Sequence, residues 1–548
     1  MAHALAGKPV QEQDIIDVQT IVDAYFDNVP DMTNPTQLVS FGTSGHRGTS
    51  VDGTFTDLHV AAITQAICDG RKQFGATGPI FVGQDTHALS QPALMTVLEV
   101  LAGNGVTAMV DCDMAFVPTP SVSRAIIRYN EEHDDKADGI IITPSHNPPD
   151  NGGIKYNTII GGPADTVVTK WIEMRANEYL TAYCESEDFK RISIDNIEPT
   201  AQVPYDYKGL YVEELGDVIN MEAIKAAGPK VLVDTLGGSG ASYWNAIKER
   251  YGLDLTIIHD DYDPTFSFMT YDHDGKVRMD CSSTYVMASV INRSGDFDLA
   301  VGNDPDYDRY GIVVSSGLIS ANTFLTLAAR YLFTTRGWKN KGVGKTVVCT
   351  TMIDKWAADA ETPVFEVPVG FKYFSQLLFD GAIGIGGEES AGASFLKKDG
   401  TVWTTDKDGM IMALLSMEIM AVMGKSALKM ADESLEEFGN PSFGRIDAPC
   451  KKEQKQILKQ MSAELITATT VDGDPITNIR TTSLYNDMPI DGVRVETDKG
   501  WFVARPSGTE DLYKIYGESY KGDLGLVALL TAGEEIVNAA LNGTIETE

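Results

Sequence analysis

The sequence predicts an α/β protein with three consecutive α/β domains and a smaller C-terminal α+β domain. Two observations support this prediction. From Phe41 to about residue 440, apolar segments of strand length alternate with amphipathic segments of helical length. In the last hundred residues, three strand-like segments follow one another and a single helix closes the chain. Strand–helix alternation implies parallel sheets covered on both faces. At 548 residues the chain is also too long for one hydrophobic core.

The first 40 residues lie outside this alternation. They contain one helical segment in which Ile15, Val18, Val22 and Tyr25 share a face. The alternation is interrupted near residues 185–208 and again near 438–450, where polar residues and prolines accumulate. We therefore predict an N-terminal extension and four domains, at residues 1–40, 41–205, 206–320, 321–440 and 441–548.

Within these domains the strands are expected where apolar runs are short and bounded by turn residues. The predicted strands are 79–86, 106–113, 139–143, 231–234, 255–260, 297–306, 346–351, 382–390, 493–497, 500–505 and 513–519. Helices are predicted at 58–74, 91–102, 410–423 and 524–541. Each α/β domain has an apolar strand that runs into a polar, Gly- or Pro-rich loop. Ligands bind at the carboxyl ends of such strands, so we expect one cleft shared by the four domains.

The charge and the cysteines exclude several classes of function. With 44 basic and 78 acidic residues the net charge is −34, which argues against nucleic acid as a partner. A phosphate site would have to be a local cluster of cations and backbone N–H groups. No run resembles a signal peptide or approaches membrane-span length, and the six cysteines form no CxxC pair. We expect a cytoplasmic protein with reduced thiols.

The loop after strand 139–143 carries the first candidate catalytic group. Prolines 144, 148 and 149 fix their φ angles and remove backbone donors, so we expect Ser145 in a stiff, exposed loop. A serine there, with His146 beside it and Lys155 ten residues on, is suited to carrying a phosphoryl group. An ordinary proline-rich turn is the alternative interpretation.

A second loop follows the strand predicted at 297–306. Asp304, Asp306 and Asp308 would point the same way on an extended chain, and three carboxylates suit a hard cation such as Mg²⁺. An EF-hand is excluded, because Arg309 replaces the required glycine and Ser315 the bidentate glutamate. An acidic surface turn is the alternative. Arg309, next to the acids, favours a site that combines metal and phosphate.

Three further loops carry weaker signals. Glu388 and Ser390 follow a glycine pair and could bracket vicinal hydroxyls, although a Gly-rich turn with a solvated acidic pair is the more common meaning of this pattern. Arg505, Ser507 and Thr509 in RPSGTE offer a guanidinium and hydroxyls for a phosphate. Residues 42–48, GTSGHRG, form another flexible loop with an arginine, Arg47, or a plain linker turn.

Two nucleotide-binding motifs are matched only in part. GVGKT (342–346) resembles the end of a P-loop, but Lys339 stands where the first glycine belongs, and we expect a strand at 346–351 rather than a helix after it. GGSGASY (237–243) has Tyr243 where a dinucleotide fingerprint requires Gly or Ala. We reject both interpretations.

Together, TPSHNPP, DPDYDR, GEES and RPSGTE, in this order and spacing, resemble the α-D-phosphohexomutase superfamily over roughly residues 41–540. The resemblance favours the glucose-phosphate-specific bacterial members, because GEESAG differs from the GEMSG of mannose-tolerant relatives. It implies mixed, mostly parallel sheets in the three α/β domains and a small fourth domain around a central cleft. It also implies interconversion of glucose 1-phosphate and glucose 6-phosphate through a phosphoserine enzyme and a glucose 1,6-bisphosphate intermediate.

The resemblance also assigns roles to individual residues. Ser145 would carry the phosphoryl group, with His146 and Lys155 in acid–base or charge-neutralising roles. Ser145 and the three aspartates 304, 306 and 308 would hold Mg²⁺. The expected substrate-binding residues are Arg47, Arg309, Glu388, Ser390, Lys407, Arg505, Ser507 and Thr509. Val369 stands where some relatives have threonine, so a sugar contact there would need the backbone.

Several alternatives remain at this point. Phosphomannomutase and phosphoglucosamine mutase belong to the same superfamily. A metal-dependent serine phosphatase is the rival from another class, and a non-catalytic sugar-phosphate sensor is the binding-protein alternative. We expect a hexose phosphate as substrate, and neither nucleic acid nor membrane as partner. The sequence does not decide the oligomeric state, and a homodimer is the assembly that we consider.

Overall fold

The computed structural model describes residues 2–42, 44–184, 189–506 and 512–545. The chain forms two compact units. The first comprises residues up to 320 together with 374–381 and 390–428, and the second comprises 321–373, 382–389 and 429 onwards.

The first unit begins with a sheet of six strands. In spatial order they are His46–Thr49, Asn151–Asn157, Asp138–Ile142, Ile80–Gln84, Ala108–Asp111 and Gln202–Tyr205. The last four run parallel, as strand–helix alternation predicts, and the first two are antiparallel to their neighbours. The sheet is therefore mixed and mostly parallel, which confirms the fold class predicted for the α/β domains.

The sequence does not predict strand Asn151–Asn157, because the stretch continues a proline-rich loop. It forms because the chain turns back after Pro149 and pairs antiparallel with Asp138–Ile142. Gly153 allows this return, since a Cβ there would come within 2.2 Å of the Thr143 carbonyl oxygen. The strand carries Lys155 back beside the loop that holds Ser145.

A second sheet of the first unit has five strands. Their order is Gly317–Leu318, Gly311–Val314, Leu299–Gly302, Val231–Asp234 and Leu255–Ile258. The last three are parallel and fully or partly buried, and the first two are antiparallel additions. Strand Leu299–Gly302 ends directly before the acidic loop, so this sheet delivers the three aspartates at its carboxyl edge.

Helices cover these sheets. In the first unit they are Val18–Asp27, Asp57–Gly70, Ser90–Gly103, Thr119–Glu132, Thr166–Cys184, Tyr207–Val218, Met221–Ala227, Ala241–Tyr251, Ala288–Arg293 and Gly409–Met423. Helix Gly409–Met423 is apolar nearly all round and buried from Gly409 to Ile419, as predicted. Helix Val18–Asp27 begins after Asp17, whose side chain caps it, and buries Ile21 and Tyr25. Ile15 is 38% exposed, so the predicted apolar face was partly wrong.

The second unit contains three parallel strands. They are Val364–Val367, Gly342–Thr346 and Ile383–Gly387, with helices Ala321–Arg336 and Met352–Asp359. The expected strand 346–351 was wrong, because GVGKT itself is the central strand and a turn follows it. Gly342 suits this position, since a Cβ there would meet the ring of Phe365 at 2.2 Å. Two helices, Lys372–Phe379 and Ala427–Phe438, include residues of both units.

The C-terminal part of the second unit is an antiparallel sheet. Its order is Ser442–Pro449, Leu512–Ser519, Gly500–Pro506, Pro489–Thr497, Asp474–Thr482 and Thr470–Val471. Helices Lys452–Lys459 and Gly522–Ile545 accompany it. This confirms the predicted α+β arrangement. An ion pair between Arg480 and Glu366 at 2.7 Å links this sheet to the parallel strands of the same unit, and Arg480 also pairs with Glu496 of the neighbouring strand in its own sheet at 3.1 Å.

The closing helix corrects one expectation. By length and composition, the stretch Gly522–Asn542 could cross a membrane, although no run of that length was recognised in the sequence. Leu529, Val537 and Leu541 of this helix are buried in the hydrophobic cluster beside the C-terminal sheet. Leu524 and Val527, in contrast, are 88% and 62% exposed, so the helix packs on the domain by one face.

Candidate active site

Ser145 is the centre of the candidate site. Strand Asp138–Ile142 ends just before it, and its φ of 60° places it in the left-handed region, which is costly for a residue other than glycine. Its backbone N–H donates to Thr143 Oγ1 at 2.7 Å, and its Oγ donates to Asp304 Oδ2 at 2.9 Å. Ser145 is only 1% exposed, so the expectation of an exposed serine was wrong. The loop is rigid, and its hydroxyl points at the acidic cluster.

Asp304, Asp306 and Asp308 converge as the sequence predicts, but by a different geometry. Each is at most 1% exposed, and carboxylate oxygens of the three lie within 4.8 Å of one another. The loop is a turn rather than an extended chain: the Tyr307 N–H donates to the Asp304 carbonyl at 2.9 Å, and Tyr307 has a φ of 63°. The Tyr307 ring fills the space left by Gly240, where a Cβ would approach it to 2.4 Å.

This cluster fits a metal ion by its chemistry. Oδ1 of Asp306 and Oδ1 of Asp308 are buried and have no hydrogen-bond partner among the described residues. Buried unpaired carboxylate oxygens are costly unless a cation binds them. Burial and the like charges of Asp306 and Asp308 raise the pKa of Asp304 well above its usual value. Three oxygen ligands of this kind suit Mg²⁺.

Two lysines compensate the other carboxylate oxygens. Lys155 Nζ lies 2.6 Å from Asp306 Oδ2 and 3.1 Å from Asp308 Oδ2, and Lys407 Nζ lies 2.8 Å from Asp308 Oδ2. Burial lowers the pKa of Lys155, but the two carboxylates raise it by more, so it stays protonated. Burial raises the pKa of Asp308, but three nearby cations lower it by more and hold it well below its usual value; they are Lys155, Lys407 and Arg309. The lysines leave the Oδ1 atoms available.

Arginines complete the positive side of the site. Arg309 Nη1 lies 3.1 Å from Asp280 Oδ2, and its Nε lies 4.0 Å from Asp308 Oδ1. Arg47, on strand His46–Thr49, donates from Nη2 to Ser44 Oγ at 3.1 Å. Burial lowers the pKa of Arg47, while the carboxylates of the acidic loop act in the opposite direction. Both arginines lie in the first unit with Ser145.

His146 lies between Ser145 and Asp280. Its Nδ1 is 3.3 Å from Ser145 Oγ, and its Nε2 is 3.8 Å from Asp280 Oδ2. Burial, and then the nearby Arg309, lower the pKa of His146 to about 3. A neutral imidazole can accept a proton but does not supply positive charge. This argues against the charge-neutralising role and leaves the acid–base role for His146.

Two residues of the site were not found from the sequence. Asp280 pairs with Arg309 and stands in a stretch, MDCSS, that has no recognisable catalytic pattern. Thr119 begins the helix Thr119–Glu132 and donates from Oγ1 to Asp306 Oδ2 at 2.8 Å, while its N–H donates to the Asp306 carbonyl at 3.0 Å. The helix start was readable from the prolines at 118 and 120, but its contact with the acidic loop was not.

The remaining predicted residues are distributed over both units. Ser390 lies in the first unit, and Glu388 and Arg505 lie in the second. Glu388 is 6% exposed, so the alternative of a solvated acidic turn was wrong. Arg505, at the end of strand Gly500–Pro506, donates from Nε to the Ile490 carbonyl at 2.8 Å. Ser507 and Thr509 lie outside the described residues.

Val369 has a structural explanation. It packs against a hydrophobic cluster of the second unit that includes Val347, Ile490, Trp501 and Val503. An apolar side chain therefore suits the position.

Comparisons with known proteins match the whole length of this arrangement. Four phosphoglucomutase/phosphomannomutase models match: alpha/beta/alpha domains I, II and III at residues 38–182, 210–317 and 320–438, and the C-terminal domain at 447–524. A phosphoglucomutase of Komagataeibacter xylinus is 46% identical over 539 residues, 97% of each chain. Phosphoglucomutase 1 of Saccharomyces cerevisiae is 26% identical over 88% of each chain.

Solved structures show the same fold. The Paramecium phosphoprotein parafusin, described as a phosphoglucomutase, superposes with a TM-score of 0.72 at 20% identity, over 94% of this chain and 96% of that one. A phosphoglucomutase/phosphomannomutase family protein of Burkholderia thailandensis gives 0.68 at 21% identity, over 91% and 97%.

Proposed function

The chain belongs to the phosphoglucomutase/phosphomannomutase family, and we propose that it interconverts α-D-glucose 1-phosphate and glucose 6-phosphate through a phosphorylated Ser145. The observation that carries this proposal is the 2.9 Å contact between Ser145 Oγ and Asp304 Oδ2 in a buried, strained loop. A hydroxyl fixed beside a cation site is the arrangement that a phosphoryl carrier needs. The 46% identity to a bacterial phosphoglucomutase supports glucose phosphates as substrates.

The reaction consists of two phosphoryl transfers. In the first, the bond between Ser145 Oγ and phosphorus breaks as the sugar O6 bonds to phosphorus; the O6–H proton passes to a base, and Ser145 Oγ takes up a proton as it leaves. The resulting glucose 1,6-bisphosphate reverses its orientation. In the second, Ser145 Oγ gives up its proton and bonds to the phosphorus of the 1-phosphoryl group, the bond between that phosphorus and the sugar O1 breaks, O1 takes up a proton, and glucose 6-phosphate leaves. Phosphoryl transfer requires mainly positioning and charge stabilisation from the protein.

The chain's own residues supply both requirements. Asp304, Asp306 and Asp308, with an oxygen of the group on Ser145, would hold Mg²⁺, which when bound withdraws charge from the transferring phosphoryl group. Arg309 and Lys155 lie at the same cluster and compensate negative charge. His146, whose neutral ring lies 3.3 Å from Ser145 Oγ, would hydrogen-bond at that atom; its pKa, lowered to about 3, makes it only a weak base for the proton there.

Substrate recognition is assigned to the other predicted residues. Arg47 and Lys407 would contact the phosphate or sugar near the cluster, and Glu388 with Ser390 would hold sugar hydroxyls. RPSGTE, beginning at Arg505, would hold the phosphate that is not reacting. Glucose 1,6-bisphosphate acts as activator in this scheme, because it rephosphorylates Ser145 when the intermediate escapes. We place the protein in the cytoplasm; the described cysteines 68, 112, 281, 349 and 450 form no disulfide, which is consistent with a reducing compartment.

The test combines mass and activity. The purified protein should show one phosphate on Ser145 by intact mass and site mapping. Ser145→Ala should remove this phosphate and lower mutase activity by several orders of magnitude. The matched control is Ser50→Ala, which removes another buried hydroxyl, bonded to the Ile21 carbonyl at 2.7 Å, and should keep activity. Near-normal turnover by Ser145→Ala would end the proposal. Release of inorganic phosphate in place of isomerisation would identify a phosphatase, and equal turnover of mannose 1-phosphate would remove the glucose preference.

A further inference from the structure

A buried charged pair lies beside the Ser145 loop, outside the residues considered so far. Asp85 and His87 follow strand Ile80–Gln84 and are each 1% exposed. His87 Nδ1 lies 2.9 Å from Asp85 Oδ2, and His87 Nε2 lies 3.0 Å from the Asn147 carbonyl oxygen. Both partners of the ring are acceptors, so both ring nitrogens donate. His87 thus ties Asp85 to the chain two residues after Ser145.

The Asp85 carboxylate is fully used. Its Oδ1 accepts from the His87 N–H at 3.0 Å and from Ser90 Oγ at 2.6 Å. Its Oδ2 accepts from the His87 ring and from Thr143 Oγ1 at 2.6 Å. A buried, completely satisfied network of this kind fixes the groups that take part in it.

Thr143 connects this network to the serine. Its hydroxyl donates to Asp85 and accepts the Ser145 backbone N–H at 2.7 Å. The chain is therefore held on both sides of Ser145, by Thr143 before it and by the Asn147 carbonyl after it. Between these points Ser145 has its left-handed φ of 60°, a conformation that persists only where the surroundings impose it.

We propose that Asp85, His87 and Thr143 form a positioning bracket that keeps the Ser145 backbone left-handed and its Oγ aimed at Asp304. The inference rests on the proposed function, because Ser145 must be the phosphoryl carrier for its aim to matter. None of its three residues is among those assigned above to the sugar or the phosphate. Its loss should slow phosphoryl transfer while substrate binding is kept, since a small misplacement of a reacting atom lowers rate without removing binding contacts.

Thr143→Val tests the bracket, because valine keeps the shape and removes the hydroxyl. We expect kcat to fall about 10- to 100-fold and KM not to rise more than about twofold. Dephosphorylated protein can be mixed with glucose 1,6-bisphosphate, and the phosphorylation of Ser145 followed by intact mass. The rate of this phosphorylation should fall by the same factor as kcat. Thr143→Ser keeps the hydroxyl, so its kcat should stay within about threefold of the wild-type value.

Ser90→Ala is the matched control. It removes a 2.6 Å hydrogen bond to the same buried carboxylate, but from the helix side, away from the Ser145 loop. It should lower the melting temperature by less than Thr143→Val does, because Thr143 loses two hydrogen bonds, and it should leave kcat within about twofold. His87→Gln is the second variant if Thr143→Val does not fold, and it should lower kcat at least about threefold with KM unchanged.

The outcomes separate the two proposals. If wild-type protein takes up no phosphate on Ser145, the proposed function fails and the bracket with it. If the wild type is phosphorylated normally and Thr143→Val keeps wild-type kcat, or loses no more kcat than Ser90→Ala does, the bracket is overturned and the network is merely structural. A KM increase without a kcat loss would also overturn it.

Discussion

The ammonium group of Lys155 lies 2.6 Å from Oδ2 of Asp306, although 151 residues separate them in the chain. Lys155 stands on a strand of the first sheet, and Asp306 stands on the loop after a strand of the second. Both side chains are almost fully buried, with 5% and 1% of their surfaces exposed. This contact binds the serine loop and the acidic loop into one charged cluster.

Lys155→Met should therefore destabilise the protein strongly. Removing one partner of a buried pair leaves uncompensated charge and costs about 3–5 kcal/mol. Thermal unfolding without Mg²⁺ should show this loss, and Mg²⁺ should restore part of it. Lys170→Met is the control: it breaks a surface pair with Glu173 whose lysine is 61% exposed, and should cost no more than about 1 kcal/mol. Equal effects of the two variants would contradict the buried-pair interpretation.

Asp306→Asn should weaken Mg²⁺ binding. It removes charge at a carboxylate whose Oδ1 lacks a partner among the described residues, so Mg²⁺ affinity and kcat should fall together. EDTA should abolish wild-type activity. Asp274→Asn, in another acidic cluster whose charge Arg278 compensates at 2.9 Å, should leave the Mg²⁺ requirement unchanged. Wild-type activity that survives EDTA would exclude the metal assignment.

The Asp85–His87 pair predicts a pH dependence of stability. Burial raises the pKa of Asp85, but His87 and three hydrogen bonds lower it by more, to below 3.8. Burial lowers the pKa of His87, but Asp85 raises it by more, to above 6.5. The aspartate contribution is lost as pH falls through its lowered folded pKa, and the histidine contribution is lost as pH rises through its raised folded pKa.

The melting-temperature difference between wild type and His87→Gln should thus be largest between the two ordinary pKa values, 3.8 and 6.5. It should shrink as pH rises beyond this window. Differential scanning fluorimetry of both proteins at several pH values measures it. A difference that grows from pH 6.5 upwards would show that the sign is wrong.

Arg505→Ala should lose about 1.5–3 kcal/mol of charge-assisted hydrogen bonding to phosphate, which corresponds to about a 10- to 150-fold lower kcat/KM. The variant should also depend more on added glucose 1,6-bisphosphate, because the intermediate would escape more often. Lys499→Ala, an exposed cation just before the opposite end of the same strand, is the control and should behave like the wild type. Normal binding of glucose 1-phosphate by Arg505→Ala would place the phosphate site elsewhere.

The net charge of −34 predicts salt-dependent stability. Self-repulsion of an acidic surface should weaken as the Debye length falls from about 30 to 3 Å between about 0.01 and 1 M salt. The melting temperature should rise over this range when sodium chloride is added. A flat profile would leave solubility as the explanation for the acidity.

The sequence alone located Ser145 and the three aspartates, because their signals are local. Two local patterns mark them: a strand that ends in a proline-rich loop, and three acids spaced along five residues. Both patterns are visible in the sequence without knowledge of the tertiary structure. The buried apolar runs at 231–234 and 500–505 were found for the same reason. Local sequence also showed that the last hundred residues differ in architecture from the preceding domains.

Only the tertiary structure decided which distant groups meet. Thr119, Asp280 and the Asp85–His87 pair have no local pattern that marks them, and they gain a role through contacts with Asp306, Arg309 and the Ser145 loop. Strand Asn151–Asn157 exists because Asp138–Ile142 offers it backbone partners, and GVGKT is a strand because two parallel neighbours enclose it. Strand pairing and ion pairing depend on surroundings supplied by remote segments, so propensity along the chain does not specify them.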